Sequence, residues 1–401
     1  MVASTRLTAC LTVVGTALMA GCSGDSGLGP EPAAPFTSVS VGVLHTCALT
    51  SGGQAYCWGW GENGQLGNGQ TGDVTVPAAV LGDLTFTSLG AGGAHTCGIV
   101  TTGETYCWGL NLSGQLGNGL TGDALQPSEV TGGISFTTIS VGSTSNCGLT
   151  QDGSAYCWGY NEQGQLGDGT TEDRSMPVAV AGDLTFAAIS VGEFHSCALT
   201  PAGQAYCWGR NLDGQLGSSP VDPTQPQPVT EELTFGAISA GLAHTCGVTT
   251  DGDAYCWGGN TYGQLGEGTG APHDEPTQVT TGTGYERVSA GGAYSCGLRS
   301  SGEAWCWGLN ESGQLGTAVS EVCTTVDPNG LTRTAPCSLV PLQTGGSLRF
   351  TIVSANIQHT CGLTTDDGVY CWGLGSRGQL GNGERGTNYI SAQPVRVARQ
   401  P

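Results

Sequence analysis

Sulfur and imidazole groups recur at fixed spacing in this chain, and they are the groups with the clearest capacity for chemistry. The tripeptide Cys-Trp-Gly occurs seven times, and another cysteine lies ten positions before each occurrence. The seven pairs are Cys47 and Cys57, Cys97 and Cys107, Cys147 and Cys157, Cys197 and Cys207, Cys246 and Cys256, Cys296 and Cys306, and Cys361 and Cys371. A histidine stands two positions before the first cysteine in five repeats: His45, His95, His195, His244 and His359. Such groups could ligate a metal, take part in catalysis or form disulfides.

The cysteine spacing favours disulfides over a metal site. A structural zinc site needs two close pairs, typically Cys-x2-4-Cys, and the sequence has none. Of the 18 cysteines, Cys10 and Cys22 lie in the N-terminal segment, the repeats hold seven pairs, and Cys323 with Cys337 makes an eighth pair. An even, fully paired set in an exported chain is typical of disulfides in an oxidising compartment. We therefore predict eight disulfides and no metal site.

The other recurring polar residues fit turns better than catalysis. Ser145 and Tyr294 replace the histidine in two repeats, which favours a hydrogen-bonding role in a turn. An asparagine follows Trp-Gly by two positions in five repeats and suits left-handed turn geometry: Asn111, Asn161, Asn211, Asn260 and Asn310. Acids such as Asp73, Asp123 and Asp173 could ligate calcium, but no dense Asp/Asn/Gly loop surrounds them. A solvated loop is the preferred interpretation.

No catalytic motif is present. The chain has no Gly-x-Ser-x-Gly elbow or phosphate-binding loop, and none of its Gly-x-Gly-x-x-Gly runs joins a predicted strand to a predicted helix, as the dinucleotide-binding fingerprint requires. The prediction is a protein with no catalytic residues and no cofactor. The alternative is a hydrolase or lyase that uses two inward carboxylates from different repeats, and facing carboxylates at a central channel would favour it.

Each repeat contains short predicted strands, which in the first repeat span 36–42, 45–50, 54–59 and 77–80. Residues 51–53 end in glycine and suit a type I turn followed by a left-handed residue. This turn sets the hairpin register, so Cys47 lies opposite Cys57, close enough for a disulfide. Ala48 then faces Tyr56, and we expect the aromatic ring to cover the small residue.

Seven such units, repeated about every 50 residues, predict a closed ring of small β-sheets. The run His45-Thr-Cys-Ala-Leu-Thr, then Gly-Gln-Ala-Tyr-Cys-Trp-Gly and Asn-Gly-Gln-Leu-Gly67, resembles the regulator of chromosome condensation repeat. The resemblance implies an all-β fold, a seven-bladed β-propeller over residues 36–398. The hairpin register adds the prediction of one hairpin disulfide in each repeat. The chain departs from the family in its added cysteine pairs and in an insertion at about 317–338, which carries Cys323 and Cys337.

The N-terminus has the character of a targeting segment. Arg6 precedes an apolar stretch of 14 residues, which is too short to span a bilayer as a helix. The run Leu18-Met19-Ala20-Gly21-Cys22 resembles the bacterial lipoprotein signal, in which cleavage precedes a cysteine that is then acylated. The prediction is a signal peptide at 1–21, lipidation of Cys22 and a flexible tether over 22–35. An ordinary secretory signal with a chance cysteine is the alternative.

The composition restricts the partners. The chain has 11 arginines, no lysine and 32 acids, for a net charge of −21, so a nucleic-acid backbone would be repelled. The eponymous member of the family is a nuclear exchange factor for a small GTPase, an activity not expected of an exported, disulfide-bonded, acidic protein. Some secreted members instead bind and inhibit other proteins. We expect a monomeric, non-catalytic binding module, lipid-anchored in the bacterial cell envelope, whose partner is an unidentified protein or envelope component.

The residues that vary among repeats indicate where a partner would bind. Extending the hairpin register pairs Leu44 with Trp60, at the hairpin end away from the glycine turn. By the symmetry of the ring, the seven equivalent pairs lie on one rim. Four of their members are residue types common in interface hot spots: Trp60, Tyr160, Phe194 and Arg210. Ordinary packing between blades is the competing interpretation.

Overall fold

A ring of seven β-sheets makes up the structure. The computed structural model describes residues 29–220, 222–281, 283–326 and 332–400. Every regular element in these ranges is a strand, and none of the described residues forms a helix of the length and apolarity needed to cross a membrane. The predicted all-β, seven-bladed propeller is confirmed. The predicted signal peptide and Cys22 lie outside the described residues.

Consecutive strands form each blade as an antiparallel sheet. Blades 1 to 3 consist of β1 Phe36–Val41, β2 His45–Thr50, β3 Ala55–Gly59 and β4 Val74–Ala79; β5 Phe86–Ala91, β6 His95–Val100, β7 Thr105–Gly109 and β8 Ala124–Glu129; and β9 Thr138–Val141, β10 Ser145–Leu149, β11 Ala155–Gly159 and β12 Arg174–Ala179. Blades 4 and 5 consist of β13 Ala188–Val191, β14 His195–Leu199, β15 Ala205–Gly209 and β16 Gln227–Pro228; and β17 Phe235–Ala240, β18 His244–Thr249, β19 Ala254–Gly258 and β20 His273–Gln278. Blades 6 and 7 consist of β21 Tyr285–Ala290, β22 Tyr294–Arg299, β23 Ala304–Leu309, β24 Glu321–Val326 and β25 Thr332–Thr344; and β26 Phe350–Ala355, β27 His359–Thr364, β28 Val369–Leu374 and β29 Ile390–Arg396.

The turn fixes the hairpin register as predicted. Cys47 lies opposite Cys57 in blade 1, and the equivalent cysteines are opposite each other in every blade. All seven hairpin disulfides are formed, with Cα atoms 4.0–4.1 Å apart. Cys323 and Cys337 form the eighth, with Cα atoms 5.7 Å apart. In a chain-entropy model, closing a loop of about ten residues restricts the unfolded chain by roughly 2–3 kcal/mol.

The aromatic ring that covers the small residue of the hairpin comes from the innermost strand. A side chain on Gly98 would meet the Phe86 ring at 2.6 Å, and Phe86 begins the inner strand of its blade. In blade 1 the equivalent Phe36 ring packs edge-on to Tyr56, with the ring centroids 5.9 Å apart. The prediction that the opposite tyrosine covers the small residue is therefore wrong, because the aromatic residue of the inner strand covers it. A hairpin register fixes which residues face each other, but it does not reveal what a third strand inserts between them.

One hairpin turn departs from the glycine pattern. Six turns place glycine in the left-handed region at their last position, as Gly53 does with a φ of 75°. In blade 7 this position belongs to Asp367, with a φ of 64°. Its N–H still donates to the Thr364 carbonyl at 3.1 Å. Because Cβ crowds the backbone in this region, the aspartate carries a steric cost that glycine avoids.

The Gly-Gln-Leu-Gly turn joins each blade to the next. The Gln65 side-chain oxygen accepts a hydrogen bond from the Asn63 N–H at 3.0 Å and so shapes the turn. The Gln65 main-chain carbonyl accepts two bonds from blade 2, from the Trp108 indole at 3.0 Å and the Thr96 hydroxyl at 2.8 Å. Gly67 must lack a side chain, because one would meet the Trp108 indole nitrogen at 2.6 Å. We call this pair of bonds to one glutamine carbonyl the interlock, and it recurs at all seven blade junctions.

The ring closes through the same interlock and without exchange of strands. Blade 1 uses β1–β4 and blade 7 uses β26–β29. At their junction the Gln379 carbonyl accepts hydrogen bonds from the Trp58 indole at 3.0 Å and the Thr46 hydroxyl at 2.9 Å. Asn356 stands where the other blades have glycine, and its amide donates to the Val41 carbonyl at 2.9 Å. Side-chain contacts therefore hold the first and last blades together.

The insertion forms a hairpin that gives blade 6 a fifth strand. The second half of β25 pairs with β23, and its first half pairs with β24. Cys323, Ala335 and Cys337 face inward and are buried, whereas Val322 is 60% exposed. The Cys323 sulfur lies 3.6 Å from the Tyr262 carbonyl of blade 5. The hairpin therefore packs against the neighbouring blade.

The strained turn of blade 7 yields a stability prediction. Asp367→Gly should raise the free energy of unfolding by about 1 kcal/mol, since glycine occupies the left-handed region without steric cost. Denaturant unfolding of the disulfide-intact protein measures the change. Gly203→Ala is the matched control and should be destabilising, because its side chain would meet the Phe235 carbonyl at 2.8 Å. Unchanged or reduced stability in D367G would contradict the strain argument.

Candidate binding face

The recurring histidines link neighbouring blades. His45 Nε2 lies 3.0 Å from the Thr96 hydroxyl of blade 2, and that hydroxyl donates to the Gln65 carbonyl. Because the hydroxyl proton is already used, Nε2 must be the donor and carry the imidazole proton. His95 has the same polarity, since its partner is the Asn146 side-chain oxygen, at 2.7 Å, which only accepts. The sequence suggested a bond within a turn, whereas these bonds join two blades.

Burial keeps these five histidines neutral. Desolvation lowers the pKa from 6.5 to about 3 for His45, His195 and His359, and to about 4 for His95 and His244. None of the five has any exposed surface. Their Nδ1 atoms have no hydrogen-bond partner among the described residues, so no neighbour stabilises a second proton. Imidazoles without solvent access have a structural role in this ring.

The asparagines hold their loops with their side chains. Asn111 Oδ1 accepts from the Leu116 N–H at 2.9 Å, and its Nδ2 donates to the Leu120 and Gly122 carbonyls at 3.0 and 3.1 Å. Among the described residues, the non-glycine residues with positive φ are Asp367 and Arg399. The prediction of left-handed asparagines is therefore wrong. The Asn111 amide offers a donor and an acceptor to three chain segments at once, whereas blades 1 and 7 form with Gly61 and Gly375 at this position.

The loop acids are also tied to the protein. Asp123 and Asp173 accept hydrogen bonds from the Asn111 and Asn161 N–H groups at 2.9 and 2.8 Å. Asp73 pairs instead with Arg377 across the ring closure, at 3.3 Å. Over the described part of the chain, no three His, Cys, Asp or Glu side chains are grouped as a metal site requires. These acids therefore shape the loops that follow the third strand of each blade.

The inner strands enclose an axial channel of about 250 Å³. Six blades have a serine at the same inner position, and each hydroxyl oxygen accepts a main-chain N–H of the next blade, as Ser40 does from Ala91 at 2.9 Å. Among the described residues that line this channel, Glu193 is the one carboxylate. Burial raises the pKa of Glu193, and the nearby Arg210 opposes that shift. Six of the serine hydroxyls that line the channel are therefore committed to contacts between blades.

The seven variable pairs lie on one face of the ring. The Trp60 N–H donates to the Leu44 carbonyl at 2.8 Å, and the equivalent bond occurs in every blade. We call this side the rim face, and the opposite side, which holds the hairpin turns, the turn face. In blade 5 the position of Trp60 belongs to Gly259, which keeps the bond to Ala243 at 2.8 Å. The fold therefore requires no side chain at this position.

Phe194 and Arg210 meet on the rim face of blade 4. The Arg210 guanidinium carbon lies 5.6 Å from the Phe194 ring centroid, within the range of a cation–π contact. The same guanidinium reaches the Asp213 carboxylate at 3.4 Å and remains 30% exposed. Arg210 Nε is buried and has no hydrogen-bond partner among the described residues. All these contacts stay within blade 4.

Trp60 and Tyr160 occupy blades 1 and 3, and both are partly exposed. The Tyr160 hydroxyl donates to the Glu162 carboxylate at 2.8 Å, and burial together with that carboxylate raises the pKa of Tyr160. The Trp60 indole N–H has no hydrogen-bond partner within the described part of the chain. The structure thus places all four candidates on the rim face and brings two of them into contact.

Sequence reasoning missed two apolar side chains in the connections that leave the rim face. Leu112 and Leu212 are 75% and 80% exposed, and they follow the loop asparagine of blades 2 and 4. The same position holds acids in three other repeats, namely Glu62, Glu162 and Glu311. Extending the comparison of variable positions by two residues would have identified them.

Family models match nearly the whole propeller. The RCC1-like domain matches residues 85–400, and the regulator of chromosome condensation (RCC1) repeat matches 36–65 and 52–99. The chain belongs to the RCC1 family. A comparison with curated protein sequences finds no match.

Solved structures share the RCC1 fold at low sequence identity. Prp20p from Saccharomyces cerevisiae is 21% identical, with a TM-score of 0.74 over 92% of this chain and 87% of that chain. Human WBSCR16 is 19% identical, with a TM-score of 0.72 over 84% and 88%. The CRINKLY WD40 ectodomain of the Arabidopsis thaliana receptor kinase ACR4 is 22% identical, with a TM-score of 0.51 over 85% and 96%. These similarities show the fold alone.

The buried histidines of this RCC1 propeller predict loss of stability in acid. Their folded pKa values lie below 6.5, so the unfolded state binds more protons and stability falls as pH drops from about 6.5 towards 4. Each histidine contributes up to about 1.4 kcal/mol per pH unit in that window. Denaturant unfolding at pH 7.0 and 5.0, with disulfides intact, measures the difference.

His244→Gln is the matched control for this titration. Its amide can still donate to the Ser295 hydroxyl, the partner of His244 at 2.8 Å, but it does not titrate. In this variant, the part of the pH dependence of the unfolding free energy that comes from histidines should therefore be smaller by about one fifth. Equal stability of the parent protein at the two pH values would contradict the burial argument.

Proposed function

We propose that this RCC1-like propeller is an exported, lipid-anchored, monomeric module that binds a protein or another envelope component on its rim face and catalyses no reaction. The observation that carries the proposal is the set of large, partly exposed rim side chains that the interlock does not use: Trp60, Tyr160, Phe194 and Arg210. The blades are held together by other residues, so these four are free for recognition.

The contacts of the rim residues support recognition over packing between blades. The polar partners of Tyr160 and Arg210 are Glu162 and Asp213, each in the same blade as its partner. Gly259 shows that a blade forms without a side chain at this position. Tryptophan, tyrosine and arginine dominate the energetics of many interfaces, because they bury large areas around a few polar groups.

The disulfides support an extracytoplasmic location. Sixteen cysteines form eight disulfides within the propeller, a pattern typical of oxidising compartments. The sequence before the propeller resembles a lipoprotein signal ending at Cys22. A similar fold also occurs in the ectodomain of the receptor kinase ACR4.

The alternatives have less support. A hydrolase or lyase of the predicted kind would need two inward carboxylates, whereas the described lining of the axial channel contains one, Glu193. The solved structure of Prp20p is described with its binding to Gsp1p and histones, but 21% identity transfers the fold and not the partners. The net charge of −21 opposes binding to nucleic acid.

Alanine substitutions on the rim face test the binding proposal. Trp60→Ala and Arg210→Ala should each weaken partner binding by about 2 kcal/mol, roughly thirtyfold, because truncating a hot spot removes buried contact area. The mature protein is used to capture its partner from native envelope extract, and the purified partner is then titrated against both variants. Thermal unfolding of each variant runs in parallel.

Trp58→Phe separates rim effects from effects on the fold. Trp58 is fully buried, and the substitution leaves the Gln379 carbonyl with one interlock bond, so stability should fall by about 1 kcal/mol while affinity is retained. The rim variants should show the opposite pattern. If W60A and R210A lose stability and keep full affinity, packing between blades is the correct interpretation and the interface proposal fails.

Removal of the predicted acylation site tests the anchor. Cys22→Ser should release the protein from the membrane fraction, because the mature chain has ten arginines against 32 acids and cannot adhere to an anionic membrane by charge. Cell fractionation and metabolic labelling with a radioactive fatty acid measure the outcome. Unchanged membrane retention of C22S would count against the lipoprotein assignment.

A further inference from the structure

The chain enters the propeller on the turn face. The Pro35 carbonyl accepts a hydrogen bond from the Ser51 N–H at 2.9 Å, and Ser51 begins the first hairpin turn. Further out, a side chain on Gly29 would meet Ala79 Cβ at 2.9 Å, so residue 29 lies against the outer strand of blade 1. Residues 29–35 therefore cross the turn face of blade 1 from its outer edge to its inner strand.

Arg399 fastens this entry segment to the end of the propeller. Its guanidinium donates to the Gly29 carbonyl at 3.2 Å, to the Glu31 carboxylate at 3.2 Å and to the Pro77 carbonyl at 3.1 Å. The side chain is 17% exposed, so these bonds are partly shielded from water. Three bonds from one rigid guanidinium hold the point of entry at the outer edge of the turn face.

The rim face lies at the other end of the strands. A strand of six residues is about 20 Å long, and this length separates the hairpin turns from the positions of Trp60 and Arg210. Six residues separate Cys22 from Gly29, and the seven steps from one Cα atom to the next span about 25 Å at most. To bring the rim face onto the bilayer, that short link would have to run nearly straight along the whole wall of the propeller.

We propose that the anchored protein presents its turn face to the lipid surface and its rim face to the aqueous compartment. This inference rests on the proposed lipid anchor at Cys22. It identifies the partner as a protein that approaches from the aqueous side, and it excludes the lipid surface itself as the ligand of the rim face. Trp60 and Phe194 then serve as contacts for protein, although exposed aromatic residues on other peripheral proteins insert into membranes.

The absence of lysine makes the orientation measurable. Because the sequence has no lysine, a single introduced lysine gives an amine-reactive donor fluorophore one side-chain site, and the unsubstituted chain reports any terminal background. Blade 4 offers a matched pair, Ala202→Lys on the turn face and Leu212→Lys beside the rim face. Blade 2 offers a second pair, Thr102→Lys and Leu112→Lys. All four positions are exposed.

The lipidated mature variants are incorporated into phosphatidylcholine vesicles that carry an energy acceptor on a lipid headgroup. Energy transfer should be several-fold stronger from A202K and T102K than from L212K and L112K. Equal transfer within each pair would mean that the propeller tumbles on its link and would overturn the proposal. Stronger transfer from both blade 2 sites than from both blade 4 sites would mean that the wall lies on the membrane, which overturns it as well.

Failure of the anchor gives a different result. If the parent chain does not float with the vesicles, or floats equally well as C22S, the lipid anchor proposed above is wrong and the orientation falls with it. If the parent floats, C22S does not, and the paired sites are equal, the anchor stands and the orientation alone is wrong.

Discussion

The structure depends on one main-chain carbonyl per blade. The glutamine of each Gly-Gln-Leu-Gly turn offers its carbonyl to two donors of the next blade, an indole N–H and a hydroxyl or amide, as Gln65 does for Trp108 and Thr96. These groups are fully buried, so loss of one donor would leave the carbonyl with a single bond at a site where water cannot replace the other. The same two bonds close the ring at Gln379, which is why blade 7 needs no strand from the N-terminus.

The interlock explains why the recurring residues carry so little information about function. Trp108 donates to the carbonyl, Gly67 leaves room for the indole, and His95 continues the same arrangement into blade 3. Each requirement repeats with the blade, so each residue repeats with it. A site that recognises a partner need not obey this symmetry. Residues such as Trp60 and Arg210, present once at a position where Gly259 is also accepted, are therefore where specificity can reside.

The sequence was sufficient for the fold wherever a constraint was local. The three-residue turn at 51–53 fixed the pairing of Cys47 with Cys57, and the repeat period implied the ring. The sequence was insufficient wherever a third chain segment contributed contacts. Three features depend on chain segments that the register of one hairpin does not include. They are the packing of the Phe86 ring over Gly98, the closure of the ring without exchange of strands, and the role of the loop asparagines. The placement of the four candidate residues on one face was predictable, since it follows from the hairpin register, whereas the contact of Arg210 with Phe194 required side-chain coordinates.

The backbone constrains the choice of residue more strongly on the turn face than on the rim face. The turn face is constrained at each blade by a left-handed residue, and the entry segment and Arg399 cover part of it at blade 1. On the rim face the strand ends are satisfied by main-chain bonds such as that from Trp60 to Leu44, so the side chains there are not needed to complete the backbone bonding. A surface whose backbone is already satisfied can change its side chains at little cost in stability. This separation would let a repeated and rigid scaffold carry the proposed recognition surface without symmetry, and the rim face that we propose for it lies at the end of the strands away from the entry segment.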